Sequence, residues 1–194
     1  MSCKSVMLCT FVSLVFLFIV IGIPILIYNA VVKPKDPTFT LDHASVTGFN
    51  MTSDGHLTSF FDVVIRANNP NHKLKLKYTR VRVSIFKNKQ KLAEDVLVKF
   101  TQRKRNVTMV RSEAVALNLR LKESPRFDFQ FESGVGYLDF DVFMTAMLNG
   151  NNLEVNCRHA IVNITASPLV AASSPLANHF RSLRCSVLIY NNDV

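Results

Sequence analysis

The residues most able to do chemistry in this chain are cations. Between Arg66 and Arg105 stand 13 lysines and arginines against two acids, Glu94 and Asp95, in a protein whose formal net charge is +9. Lys73, Lys75 and Lys77 alternate with Leu74, Leu76 and Tyr78, so a strand there presents three ammonium groups on one face. Arg80 and Arg82 continue the row after the apolar phase shifts from Tyr78 to Val81, Val83 and Ile85, and Gln102-Arg-Lys-Arg105 adds a basic tip. Two readings of the face formed by Lys73, Lys75, Lys77, Arg80 and Arg82 stay open. One is a sheet edge kept soluble and unpaired by its lysines. The other is an anion-binding strip for lipid headgroups or acidic polysaccharide. Nucleic acid is not expected, because a basic patch alone is unspecific and no recognition motif accompanies it.

Catalytic chemistry finds little support. His43, His56, His72, His159 and His179 show no spacing that sets two metal ligands on one helix face, and the four cysteines form no C-x-x-C pair. There is no G-x-S-x-G elbow and no phosphate-binding glycine loop among only six glycines. Asp139 and Asp141 share one side of a strand, but with Leu138, Phe140 and Val142 opposite they read as its wet face. The expectation is no catalytic residue, no metal and no cofactor.

What positions the basic row is a tethered domain. Residues 5–32 run for 28 positions without a charged side chain, long enough to cross a hydrocarbon layer that needs about 20. A cleaved secretory signal would have an apolar core of only about 7–15 residues and a small-x-small exit, where this chain has Tyr28. Helix is the only structure open to such a segment in lipid, and Gly22 and Pro24 predict a kink. Cys3 and Cys9 sit where palmitate could be attached, or are plain apolar residues. The organisation is therefore a stub over 1–5, a span over 6–32, a linker over 33–37 and a single domain over 38–194.

Beyond the linker the pattern changes period. Thr38-Phe-Thr-Leu, Phe61-Asp-Val-Val-Ile65, Val81-Arg-Val-Ser-Ile-Phe86, Val115-Ala-Leu-Asn-Leu-Arg-Leu121, Phe127-Asp-Phe-Gln-Phe131 and Tyr137-Leu-Asp-Phe-Asp-Val-Phe143 mostly alternate apolar with polar, as half-buried strands do. Turn residues at Ser53-Asp54-Gly55, Asn69-Pro70-Asn71, Lys87-Asn88-Lys89, Ser133-Gly134 and Asn149-Gly150-Asn151 punctuate them. Asn69-Pro-Asn71 is explained as a rigid turn, since proline presets φ and the asparagines bond nearby backbone. No convincing helix follows the span, and 171–180 reads as loop. The fold class is all-β: one amino-terminal transmembrane helix, then an antiparallel β-sandwich, fibronectin-III or immunoglobulin-like, of about seven to nine strands.

The same residues resemble a known family. The span, the Lys33-Pro-Lys-Asp-Pro37-Thr-Phe39 exit, Ala67-Asn-Asn69-Pro70-Asn71 leading to Tyr78, Phe100-Thr-Gln102 followed by Thr108, and the late cysteines Cys157 and Cys185 resemble the plant harpin-induced, NDR/HIN-like (NHL) membrane proteins, whose soluble part is the group-2 late-embryogenesis-abundant domain. The short stub and Phe86-Lys-Asn-Lys, where relatives often carry Tyr-x-Gly, depart from the pattern. The resemblance implies a non-catalytic, membrane-tethered interaction or adhesion module in defence or abiotic stress at the plasma membrane, with its domain outside the cytosol. The alternative it leaves is a lipid-binding or membrane-protecting stress module. In such a compartment Cys157 and Cys185 are expected to form a disulfide, two buried thiols being the other reading. Sequons at Asn50, Asn106 and Asn163 are glycosylation candidates, Asn50 ahead of Asn163 because Ser53-Asp-Gly55 places it near a loop.

Overall fold

A computed structural model describes residues 3–28, 34–164 and 180–191, the side chains of 3–9 excepted. Helix α1 (Cys3–Leu17) passes through a π-helical turn, Phe18–Gly22, into α2 (Ile23–Ile27). Its stretch Thr10–Ile27 has a mean hydropathy of 2.9 and is long and apolar enough to cross a membrane. Pro24 has no N–H for the helical ladder. The Ile23 N–H reaches back five residues to the carbonyl of Phe18, the π pattern. The irregularity expected at Gly22 and Pro24 thus takes the form of a π turn just ahead of the proline.

Among the described residues ten antiparallel strands follow: β1 (Thr38–Met51), β2 (His56–Asn68), β3 (Leu76–Lys87), β4 (Gln90–Leu97), β5 (Phe100–Gln102), β6 (Val107–Arg120), β7 (Tyr137–Leu148), β8 (Asn151–Asn163), β9 (Leu183–Arg184) and β10 (Ser186–Tyr190). They form a four-stranded sheet in the order β6-β2-β1-β9 and a six-stranded sheet in the order β10-β8-β7-β3-β4, with β5 also paired to β3. The arrangement is sandwich-like. Strand β2 buries Leu57, Phe61, Val63, Ile65 and Ala67, and β7 buries Leu138, Phe140, Val142, Met144, Ala146 and Leu148. Phe61 meets Phe140 edge to face with centroids 5.4 Å apart, joining the two layers. Each of the larger buried side chains, the two alanines aside, contributes about 2 kcal/mol of hydrophobic stabilisation.

Two sequence expectations need correction. Phe127 to Phe131, read as a strand, lies in helix α3 (Glu123–Val135), and Ser133-Gly134 lies inside that helix rather than in a turn. Alternation at Phe127, Phe129 and Phe131 mimics a strand, yet only Phe129 is buried, while Phe127 and Phe131 face solvent. The stronger local signals are Pro125 in the first turn and Gly136 just past the end at φ 90, whose N–H returns to the carbonyls of Glu132 and Ser133. The second correction concerns the lysines. Strand β3 has β7 on one side and β4 and β5 on the other, so its cations do not guard a sheet edge. Most of the 171–180 stretch lies outside the described residues, as do the side chains of Cys3 and Cys9.

Candidate functional site

The polar residues of the asparagine turn build one end of the sandwich. Asn69 and Gln102 are fully buried and Asn71 nearly so, and buried amides are costly unless satisfied. The Asn69 Nδ2 donates to the carbonyls of Leu74 and Arg103, both at 3.0 Å, and its Oδ1 accepts from the backbone N–H and the Nδ2 of Asn71, both at 3.0 Å. Gln102 Nε2 donates to the carbonyls of Ala67 (2.8 Å) and Asn106 (2.9 Å), and its Oε1 accepts the Tyr78 hydroxyl at 3.2 Å. Burial pushes the Tyr78 hydroxyl above its ordinary pKa, so it remains a donor. Its ring stacks on Phe100 at 4.5 Å.

Asn71 then reaches out of this network. Its Oδ1 accepts the Lys35 backbone N–H, and its Nδ2 donates to the Lys35 carbonyl, both at 2.7 Å. Lys35 belongs to the linker from the span. Six residues separate it from Tyr28, so this end of the sandwich is held within about 25 Å of the helix exit.

The same end gathers charge. Lys73 and Lys75 lie in the loop before β3 and not on the strand, Lys77 is an early outward residue of β3, and Arg103, Lys104 and Arg105 cap the β5–β6 loop; all six are exposed. No acid occurs over 69–79 or 98–112. None of the six takes part in an ion pair among the described residues. The asparagine network fixes the two loops against each other, since Arg105 donates its backbone N–H to the Asn71 carbonyl at 3.0 Å.

Arg80 and Arg82 stand apart from that group. The phase shift expected after Tyr78 is a β-bulge, with Arg80 at φ 52 and a register break between Thr79 and Arg82. Arg82 is paired with Glu94 at 3.4 Å, and Glu94 also takes Lys91 at 2.7 Å. Asp139 and Asp141 are half-buried rather than a plain wet face. A second bulge places His159 at φ 59, its Nδ1 3.0 Å from Asp139 Oδ2 and its backbone N–H donating to Asp141 Oδ1 at 3.0 Å.

The late cysteines form the disulfide Cys157–Cys185. Cys185 sits where the chain crosses from β9 in one sheet to β10 in the other, and its N–H bonds the Phe39 carbonyl. Asn106 is exposed in its loop, Asn163 ends β8, and Asn50 is exposed but belongs to the end of β1 and not to a loop.

No family model matches the chain. An uncharacterized protein of Arabidopsis thaliana is 28% identical over 172 residues, covering 84% of this chain and 78% of that protein. NDR1/HIN1-like protein 6 of Arabidopsis thaliana is 33% identical over 90 residues, 46% of this chain and 36% of the relative. NDR1/HIN1-like protein 1 is 35% identical over 75 residues, 38% of this chain and 36% of the relative. The matches to these two therefore span little more than a third of their length. A solved structure from Archaeoglobus fulgidus aligns with 78% of this chain and 98% of its own at 11% identity and a TM-score of 0.34, too low to bear on the fold. With NDR1/HIN1-like protein 10 also matching, at 26% over 110 residues, these homologues support the chain's membership of the NDR1/HIN1-like family.

Proposed function

We propose that the protein is a non-catalytic, membrane-tethered interaction or adhesion module acting in plant defence or abiotic stress at the plasma membrane, its sandwich outside the cytosol. The NDR1/HIN1-like relatives support the stress and defence setting. The disulfide supports an oxidising compartment. The observation that carries the reading is the Asn71 clamp on Lys35, which ties an end rich in unpaired cations to the membrane exit. There Lys73, Lys75, Lys77, Arg103, Lys104 and Arg105 meet anionic groups beside the bilayer, while Arg80 and Arg82 lie beyond the bulge and outside this group. Each cation near an anionic surface contributes about 1 kcal/mol, and the attraction fades as the Debye length falls to about 3 Å at 1 M salt. Sugars on Asn50 and Asn163 would lie at the opposite end from the clamp.

The test uses the full chain in nanodiscs. With acidic wall polymer as the partner, pectate binds discs of phosphatidylcholine. Changing Lys73, Lys75 and Lys77 together to glutamine then weakens binding by roughly two orders of magnitude at low salt. With lipid as the partner, amide exchange over 72–75 and 103–106 slows when phosphatidylserine is added. That second outcome favours the lipid-binding, membrane-protecting module of late-embryogenesis-abundant type, which the basic end also suits. If neither arm responds to the triple change, the cations only solubilise. Protease protection and glycan removal on sealed vesicles report the side on which the domain lies.

A further inference from the structure

On the outer face of the six-stranded sheet, away from the Lys35 end, lies an open depression of about 510 Å³. Its floor is aromatic. Phe86 of β3 and Phe143 of β7 stand edge to face with centroids 6.2 Å apart, both half-exposed where an outward strand position would ordinarily be polar. The rim is polar. Asn88 and Lys89 come from the β3–β4 turn, Asp141 from β7, and Asn156 and Arg158 from β8.

Three features point to a ligand. Of the seven non-glycine residues with positive φ in the described chain, Asn88 (46), Lys89 (65) and His159 (59) all border this depression, and such strain gathers where side chains are aimed for a purpose. Lys89 occupies a hairpin position that glycine fills most easily. Next, Asn156, directly opposite Phe143 in register, has a buried Oδ1 that accepts no hydrogen bond among the described residues. Finally, Lys89 and Arg158 are exposed cations without an ion pair among the described residues.

An aromatic floor takes the C–H face of a sugar ring, unmet acceptors take hydroxyl protons, and paired cations take a carboxylate. We propose that this depression binds an acidic oligosaccharide through a uronate residue. Its ring lies on Phe86 and Phe143, its hydroxyls donate to Asp141 and to Asn156 Oδ1 as that amide turns outward, and its carboxylate faces Lys89 and Arg158. Inorganic phosphate would use the cations but not the floor or the amide oxygen. The proposal deepens the wall-polymer arm of the function above, yet uses none of the Lys73 cluster, so the two stand or fall separately.

The probe is a short oligogalacturonate titrated into the full chain in phosphatidylcholine nanodiscs, with its methyl ester and inorganic phosphate as comparators. Phe143→Ala, Arg158→Gln and Lys89→Gly are each expected to weaken binding by about tenfold or more. Lys89→Gly does so while raising the unfolding temperature, because it relieves the turn, which separates lost binding from lost fold. The ester binds at least about tenfold more weakly, phosphate does not displace the oligomer, and the Lys73, Lys75, Lys77 triple change leaves the site-dependent part intact. Three results overturn the proposal: the single variants bind like the parent, the ester binds as well as the acid, or phosphate competes fully.

Discussion

Asn71 holds the backbone of Lys35 with both ends of its amide, accepting the N–H and donating to the carbonyl at 2.7 Å each. A side chain here makes the two bonds that a neighbouring strand would make, and it makes them where the chain arrives from the membrane. The sandwich is therefore gripped at its entry by a residue 36 positions away.

Asn71→Ala removes this grip together with the side-chain bond to Asn69, while the backbone N–H of residue 71 still reaches Asn69 Oδ1. The expected cost is about 2–3 kcal/mol, since three hydrogen bonds of about 1 kcal/mol each are lost. Lys35 then becomes a trypsin site, because Asp36 follows it, whereas Lys33 is protected by Pro34. Cleavage after Lys35 in membrane-embedded protein should accelerate well before global unfolding; equal cleavage rates in parent and variant would show that the clamp does not form.

Lys87 and Glu132 form a buried pair at 2.5 Å that docks α3 on the sheet. Lys87 Nζ also donates to the Asp139 carbonyl at 2.7 Å and lies 5.4 Å from the Phe129 centroid, while Glu132 Oε2 accepts the Asp139 N–H at 3.0 Å. Lys87→Met strands a buried carboxylate, and a loss of about 3–5 kcal/mol is expected in denaturant titration. The double change Lys87→Met, Glu132→Leu should cost less than the sum of its singles. Additive costs would mean that the two groups do not interact.

Much of this architecture is legible in the chain because one face of most strands is wet. Tyr137-Leu-Asp-Phe-Asp-Val-Phe143 gives β7 at once, and Asn149-Gly150 gives the hairpin after it, with φ 51 and 99. The apolar phase change after Tyr78 likewise reveals the bulge at Arg80. Alternation fails at Phe127–Phe131 because the same spacing occurs on a helix whose outer face stays exposed. Whether Lys77 sits on an edge or an interior strand depends on β5 and β7, which are distant in sequence. The target of Asn71 is equally distant, and a turn motif carries no information about it. Asp139 and Asp141 look like a wet face because the bulge that brings His159 to them lies on another strand.

The disulfide joins β8 to the point where the chain changes sheets, closing a loop of 28 residues. Cys157 and Cys185 are both buried, so alanine is the milder replacement. The double Cys→Ala variant should lose about 3–4 kcal/mol, and the amides of β10 should exchange faster than those of β2. Uniform exchange across both strands would mean that the bridge stabilises the whole fold and not this crossing.

His159 offers a pH readout. The hydrogen bond to Asp139, and then that residue's charge, raise its imidazole above the ordinary 6.5. A group whose pKa rises on folding contributes its full stabilisation below the unfolded value and loses it as pH climbs through the folded value. The parent should therefore exceed His159→Asn in stability most clearly below about pH 6.5, with the gap closing above it; asparagine is chosen because it tolerates the positive φ. The effect is small, since the His159 side chain is largely exposed and solvent screens the pair. An NMR titration is the sharper measurement. The His159 midpoint should lie above that of an unstructured histidine and fall back in Asp139→Asn, whereas a midpoint unmoved by that change would place the cause outside the pair.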